Sequence, residues 1–345
     1  MAGPEIAVVC GGVGAARMLS GIVAVVDPSS VTAIVNVGDD LELHGLYISP
    51  DLDTVTYTLA GEINPDTGWG LRGESWQAMA TVDRYDGMTW FGLGDRDLGT
   101  HLYRTQRRAE GATLTEITAE IAVGWGLGLR LLPVTDDRLR TMVTLGGNPG
   151  DGADGRAAAP EGAARHLPAD QAGPGDEAGL EVTFQEYFVQ RRHGVPVQAV
   201  RFDGAAESRP GPAVLAAVER AELVVIAPSN PVVSIDPVFA VPGVRAAIEA
   251  RREDTVAVSP IVASAALKGP ADRLLRELGH EATVVGIARL YAPLAAALVI
   301  DEADAALADS VEAEGIRAVV APTVMSSPEV AAALARTVLA DVLAP

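Results

Sequence analysis

Cysteine occurs once in this chain, as Cys10, and lysine once, as Lys268. A single cysteine excludes an intramolecular disulfide and any cysteine-based metal cluster. Cys10 sits inside an apolar strand and reads as buried filler rather than a reactive thiol. The lone lysine follows no glycine-rich turn, so there is no G-K-[ST] phosphate loop. Histidine is also scarce: His44, His101, His166, His193 and His280 share no metal-ligand spacing. Basic residues number 26 against 46 acidic ones, a formal net charge of −20 with no basic block. Such a surface repels nucleic acid and anionic membrane. No segment approaches the ~18 consecutive apolar residues of a membrane span, and no positively charged leader precedes an apolar stretch. The expectation is a cytoplasmic protein.

Apolar residues make up 48% of the chain, ample for a core. Strand patterns fall at 5–10, 31–37, 129–132, 141–145, 197–202, 223–227, 255–259, 297–300 and 317–321. Helical patterns alternate with them, at 15–26, 54–61, 75–84, 98–109, 115–123, 212–220, 243–251, 271–278, 303–314 and 328–342. Alternation of this kind predicts an α/β fold, Rossmann-like, with a mostly parallel sheet, helices on both faces and a small inserted subdomain. Residues 146–179 are rich in Gly, Ala, Pro and Asp without periodicity and read as a surface loop. The organisation expected is a first part of the core at 1–145, a flexible insert and small subdomain at 146–194, and a second part of the core at 195–345.

The most informative local feature is the apolar run Ile6–Cys10 ending in Gly11-Gly12-Val13-Gly14. The chain must turn there, and the Ala-rich segment behind it favours a helix. Backbone N–H groups at such a helix start attract anions. The turn reads G-x-G-x-x-R, so it lacks the third glycine of the dinucleotide fingerprint. Ligands of an open parallel sheet bind beyond the carboxyl ends of its strands. Here Gly11–Gly14, Asn36-Val37-Gly38-Asp39-Asp40, Pro228-Ser229-Asn230-Pro231 and Pro260 each follow a strand, and if these strands are parallel all four lie on one rim.

Asp39, Asp40, Asp51 and Asp53 fall within a short stretch. Carboxylates held together raise one another's pKa unless a cation intervenes, and Mg²⁺ bound by one or two carboxylates plus ligand phosphates fits. The plainer reading is that Asp53 caps a helix starting at Thr54 and that Asp51 is a turn residue. A third cluster, Gly94-Asp95-Arg96-Asp97 followed by Thr100-His101, is either a self-satisfied ion cluster or a phosphate ligand. Trp69, Trp76, Trp90 and Phe91 lie near these clusters in a chain with only 4% aromatics. They are either packing residues or stacking surfaces for a planar ring.

In combination and order, these motifs resemble the 2-phospho-L-lactate transferase / phosphoenolpyruvate transferase family of coenzyme F(420) biosynthesis. The stretches that carry the resemblance are Gly11–Arg17, Val35–Asp40, Ser49-Pro50-Asp51-Leu52-Asp53-Thr54, Gly68-Trp69-Gly70, Trp90–Asp97, Ala227–Pro231 and Val258–Ile261. The resemblance implies a Mg²⁺-dependent transferase. Its donor would be a guanosine diphosphate ester of 2-phospholactate or enolpyruvate, and its acceptor a hydroxyl of the deazaflavin Fo. GMP would be released, and the enzyme would be a homodimer.

By the same resemblance Asp53 and Asp51 are catalytic, and Asp53, Arg96, Asp95 and Trp69 bind substrate. Gly11, Gly12, Gly14, Asn36, Ser229 and Asn230 hold the nucleotide, and Asp39 and Asp51 hold the metal. The chain departs from the family at Asp236 and Gly99, where Gly and Ala are usual. A nucleotide- or nucleotide-sugar-binding regulator of the same fold is the alternative. It needs the glycine turn but not the joint presence of Pro50–Asp53 and Gly94–Asp97.

Overall fold

The computed structural model describes residues 4–147, 177–266 and 270–340. Lys268 and most of the loop-like stretch at 146–179 lie outside them. Seven strands form one sheet: β1 (Ile6–Cys10), β2 (Val31–Val35), β3 (Arg130–Pro133), β4 (Leu223–Ile226), β5 (Thr255–Val258), β6 (Ala297–Ile300) and β7 (Arg317–Val320). Their order is β7-β6-β5-β4-β1-β2-β3, and every neighbouring pair is parallel. The α/β expectation holds. β1, β4 and β6 are uninterrupted apolar runs, β5 is apolar after Thr255, and all four are wholly buried, as befits strands covered on both faces.

The chain builds outward from β1 to β3, then returns to β4 on the other side of β1. The order therefore reverses between β1 and β4. Loops leaving the carboxyl ends of these two strands diverge, and the crevice between them is where such a sheet binds ligands.

The strands at 140–145 and 197–203 do not join this sheet. They pair antiparallel with each other, and Glu181–Thr183 completes a separate three-stranded sheet. The sequence carries the reason: Arg140–Leu145 alternates buried and half-buried positions, the signature of a strand with one wet face. A hairpin of Leu41–Leu43 and Leu46–Ile48 turns through His44 and Gly45, both at positive φ (53° and 74°). Leu41, Leu43 and Ile48 pack with Met79 and Leu93 into a small second core, which anchors the excursion carrying Trp69, Trp76 and Phe91.

Helix α1 (Gly12–Val23) follows β1 directly. Gly12 has φ of +73°, which lets the chain turn straight from strand into helix. Gly14 serves close approach instead: a Cβ there would collide with the carbonyl oxygen of Pro228 beyond β4. Gly14→Ala is therefore expected to push the two halves of the sheet apart at the crevice. A loss of about 1–3 kcal/mol in urea unfolding, the usual cost of overpacking, would register it. An unchanged midpoint would show that the Pro228 loop yields freely.

Candidate active site

A cavity of about 510 Å³ opens at the carboxyl ends of β1, β4 and β5. Its floor is the glycine turn, with Gly11, Gly12 and Gly14 on one side and Ser229 and Asn230 on the other. The Ser229 hydroxyl donates to the Gly11 carbonyl (2.8 Å), which ties the two strand ends together. Asn230 accepts from the Val232 N–H (3.0 Å) and so caps the turn that follows. Gly11 precedes α1 without a side-chain cap, and the helix has no acid in its first turn. The Gly12 N–H donates to the Asp51 carboxylate, and the remaining N–H groups of this first turn have no partner within the helix, a start suited to an anion.

The acidic residues come from helix α2 (Pro50–Leu59) and from the loop after β2. The helix begins at Pro50, not Thr54. Proline at the first position is pre-set for a helix start. Asp53 is therefore no cap. Asp51 and Asp53 both stand in the first turns of α2, buried and lining the cavity. Asn36, fully buried, donates to Asp51 Oδ2 (2.9 Å) and accepts from the Gly38 N–H (2.7 Å). Burial pushes the Asp51 carboxyl up to about 6, against the hydrogen bonds from Asn36 and the Gly12 N–H. Burial, and then the charges of Asp51 and Asp40, hold Asp39 well above the usual carboxylate range. Asp39 Oδ1 is buried without a hydrogen-bond partner, and neither Asp39 nor Asp51 has an ion pair among the described residues.

Asp53 faces a different environment. Arg104 on helix α3 (Asp97–Ala109), itself only 2% exposed, meets both carboxylate oxygens of Asp53 through its two terminal nitrogens. His101 lies between, with Nδ1 3.7 Å from Asp53 and Nε2 3.3 Å from Asp97. Tyr57 donates its hydroxyl to Asp97 Oδ1 (2.5 Å). Burial raises the Asp97 carboxyl, but His101, Tyr57 and Arg104 outweigh it and hold it below its ordinary value. Asp53, Asp97 and His101 each present an atom within 4.8 Å of the others, close enough to hold a metal ion. Asp53, however, already carries a cation.

Aromatic rings form two walls. Trp69 and Phe91 stand on one, Trp69 packed edge-on against Trp76. Phe184 and Phe188, stacked at 5.3 Å, stand on another.

Of the residues singled out in the sequence, Gly11, Gly12, Gly14, Asp39, Asp51, Asp53, Trp69, Ser229 and Asn230 all line this one cavity. Asn36, Asp95 and Arg96 are placed elsewhere. Asn36 lies behind Asp51 and orients it. Asp95 accepts from Ser75 and from the N–H groups of Gln77 and Ala78. Arg96, 45% exposed, bonds the Arg72 carbonyl and pairs with Glu62. Sequence reading passed over Tyr57, Arg104 and the Phe184–Phe188 wall. The i, i+4, i+7 spacing of Asp97, His101 and Arg104 marks one helix face and was the available signal.

Asp236 begins a short helix, Asp236–Ala240, and burial pushes its carboxyl up to about 6 against the opposing influence of Arg245. A carboxyl raised on folding adds stability below its unfolded value near 4, and that stability is lost as pH rises through about 6. Asp236→Asn should therefore be more stable than the parent above pH ~6, by about 1–2 kcal/mol allowing for partial exposure, and no more stable near pH ~4. Thermal melts across that range give the comparison; parallel pH profiles would contradict it.

The profile of the 2-phospho-L-lactate transferase CofD family matches residues 6–338. A phosphoenolpyruvate transferase of Kitasatospora aureofaciens is 40% identical over 97% of this chain and 97% of its own. Relatives of the same name from Nocardia farcinica and Mycolicibacterium smegmatis are 38% and 36% identical, each covering at least 94% of both chains. Among solved structures, a UPF0052 family protein from Bacillus halodurans superimposes with a TM-score of 0.58 over 98% of this chain and 99% of its own. At 16% identity that likeness concerns the fold. No helix among the described residues is long and apolar enough to cross a membrane. The chain belongs to the 2-phospho-L-lactate transferase family, a family of α/β transferases.

Proposed function

We propose that this transferase joins the phosphoenolpyruvyl or 2-phospholactyl group of a guanosine diphosphate ester to a hydroxyl of the deazaflavin Fo. GMP is released, as a step of coenzyme F(420) biosynthesis. The observation that carries the reading is that one cavity brings together the glycine turn at the start of α1, with Asp51 on the Gly12 N–H, and buried carboxylates of two kinds. The relatives' name, phosphoenolpyruvate transferase, favours the enolpyruvyl donor. Two aromatic walls suit two substrates that each carry a planar ring.

Phosphoryl transfer is mostly positioning and charge stabilisation. The acceptor oxygen forms a bond to the phosphorus that bears the ester. The bond from that phosphorus to the bridging oxygen breaks, and the bridging oxygen leaves on GMP with the electron pair. Asp53, fixed by Arg104, accepts the hydroxyl hydrogen bond and takes the alcohol proton. Asn36 and the Gly12 N–H aim Asp51 into the cavity. The unpaired Asp39 oxygen, and two raised carboxylates with no counter-charge, fit a hard divalent cation better than Asp53 does. Asp39 and Asp51 are thus the residues to hold Mg²⁺, which when bound offsets the charge of the diphosphate.

The test is direct. The protein is incubated with Fo, Mg²⁺ and each candidate donor, and GMP and the product mass are followed. GMP release matched by an Fo adduct is expected, and excess EDTA should stop it. Full turnover in EDTA would remove the metal from the mechanism, and GMP without an Fo adduct would remove the acceptor.

A further inference from the structure

Charge within the cavity is unevenly distributed. Asp39, Asp51, Asp53 and Asp97 all line it, and Arg104, which answers Asp53, is buried behind them. Among the described residues, one arginine lines the cavity itself: Arg17. It is the sixth residue of α1, about one turn beyond Gly14. Its guanidinium donates to the Met325 carbonyl beyond β7 at 3.3 Å, a long bond, and it forms no ion pair among the described residues. Met325 and its neighbours Thr323 and Val324 line the same end of the cavity. The acids therefore stand toward β2 and the arginine toward β7, with the N-terminus of α1 between them.

A diphosphate ester laid across such a field has one favourable direction. The phosphorus under attack must lie by Asp53, where the acceptor hydroxyl is held. The other phosphate then lies over the start of α1, in the part of the cavity that Arg17 also lines. We infer that Arg17 is a catalytic residue that contacts the phosphate departing with GMP. This rests on the guanosine diphosphate reading given above. As the bridging oxygen takes the electron pair, negative charge grows on that phosphate. A guanidinium poised there binds the transition state more tightly than the ground state. It also makes two parallel hydrogen bonds that an ammonium does not reproduce.

The experiment is calorimetric titration of GDP, and separately of guanosine, into the parent, Arg17→Ala and Arg17→Lys, all in EDTA so that metal plays no part. Arg17→Ala should bind GDP about 10- to 100-fold more weakly, with guanosine binding and melting temperature unchanged. Arg17→Lys should fall between. In the transfer assay kcat should drop for Arg17→Ala even at saturating donor. An Arg17→Ala protein that binds GDP as the parent does overturns the assignment, and so does one that loses guanosine by the same factor. A parent protein that binds no GDP either in EDTA or with Mg²⁺ restored overturns the guanosine diphosphate reading itself, and Arg17's role with it.

Discussion

Asp53→Asn should slow transfer by about 10²- to 10⁴-fold, the range that general-base help supplies, while GDP affinity stays close to that of the parent. Asparagine keeps the shape of the side chain and one oxygen for Arg104, but it cannot take a proton from the acceptor alcohol. Among the described residues the polar partners of the Asp53 carboxylate are Arg104 and His101, not the glycine turn or Ser229, so the nucleotide end of the cavity should not register the change. The informative comparison is therefore kcat against GDP affinity, measured on the same preparation. A loss confined to kcat assigns Asp53 to the chemical step. Equal losses in both would mean that the substitution had disturbed the cavity as a whole, and the catalytic role would fall.

Much of the fold was legible because its central strands are extreme. Val8, Val9, Val224, Val225, Ala257 and Leu298 are fully buried members of unbroken apolar runs, and a run of that kind has few alternatives to a two-sided parallel sheet. What was missed follows equally physical lines. Val284–Tyr291 forms a helix although it opens on two valines; Thr283 caps it through the Gly286 N–H, and Ile287, Ala288 and Tyr291 are buried, so packing overrides propensity. The hairpin at His44-Gly45 is too short for its period-two pattern to stand out from the loop around it. The antiparallel placement of Arg140–Leu145 was written in its alternation, but the same residues also satisfy a plain strand pattern.

The site was legible to the extent that its parts follow strands. The glycine turn, Asp39 and Ser229 all leave carboxyl ends, and sheet geometry alone brings them together. The side chains that act through others were not. Nothing in the local sequence says that Asn36 would turn toward Asp51, or that Arg96 would be drawn off by the Arg72 carbonyl while Arg104 turned inward. Those choices depend on how α2 and α3 pack, which is a long-range fact.

That packing makes Arg104 the largest expected stability determinant at the site. Arg104 stays charged because Asp53 outweighs the effect of burial, which alone would lower its pKa. Arg104→Met preserves much of the buried volume and removes the charge. It leaves Asp53 buried beside Asp97 with no cation on its carboxylate, and breaking one side of such a pair costs about 3–5 kcal/mol. Urea unfolding should show the midpoint falling at unchanged slope. If the cost is that of the orphaned carboxylate, then Arg104→Met should be far milder in the Asp53→Asn background, where no charge is left unpaired. The coupling between the two substitutions measures the pair itself. Strict additivity would mean that Arg104 supports α3 by packing alone, and that Asp53 is held in place by something other than its guanidinium.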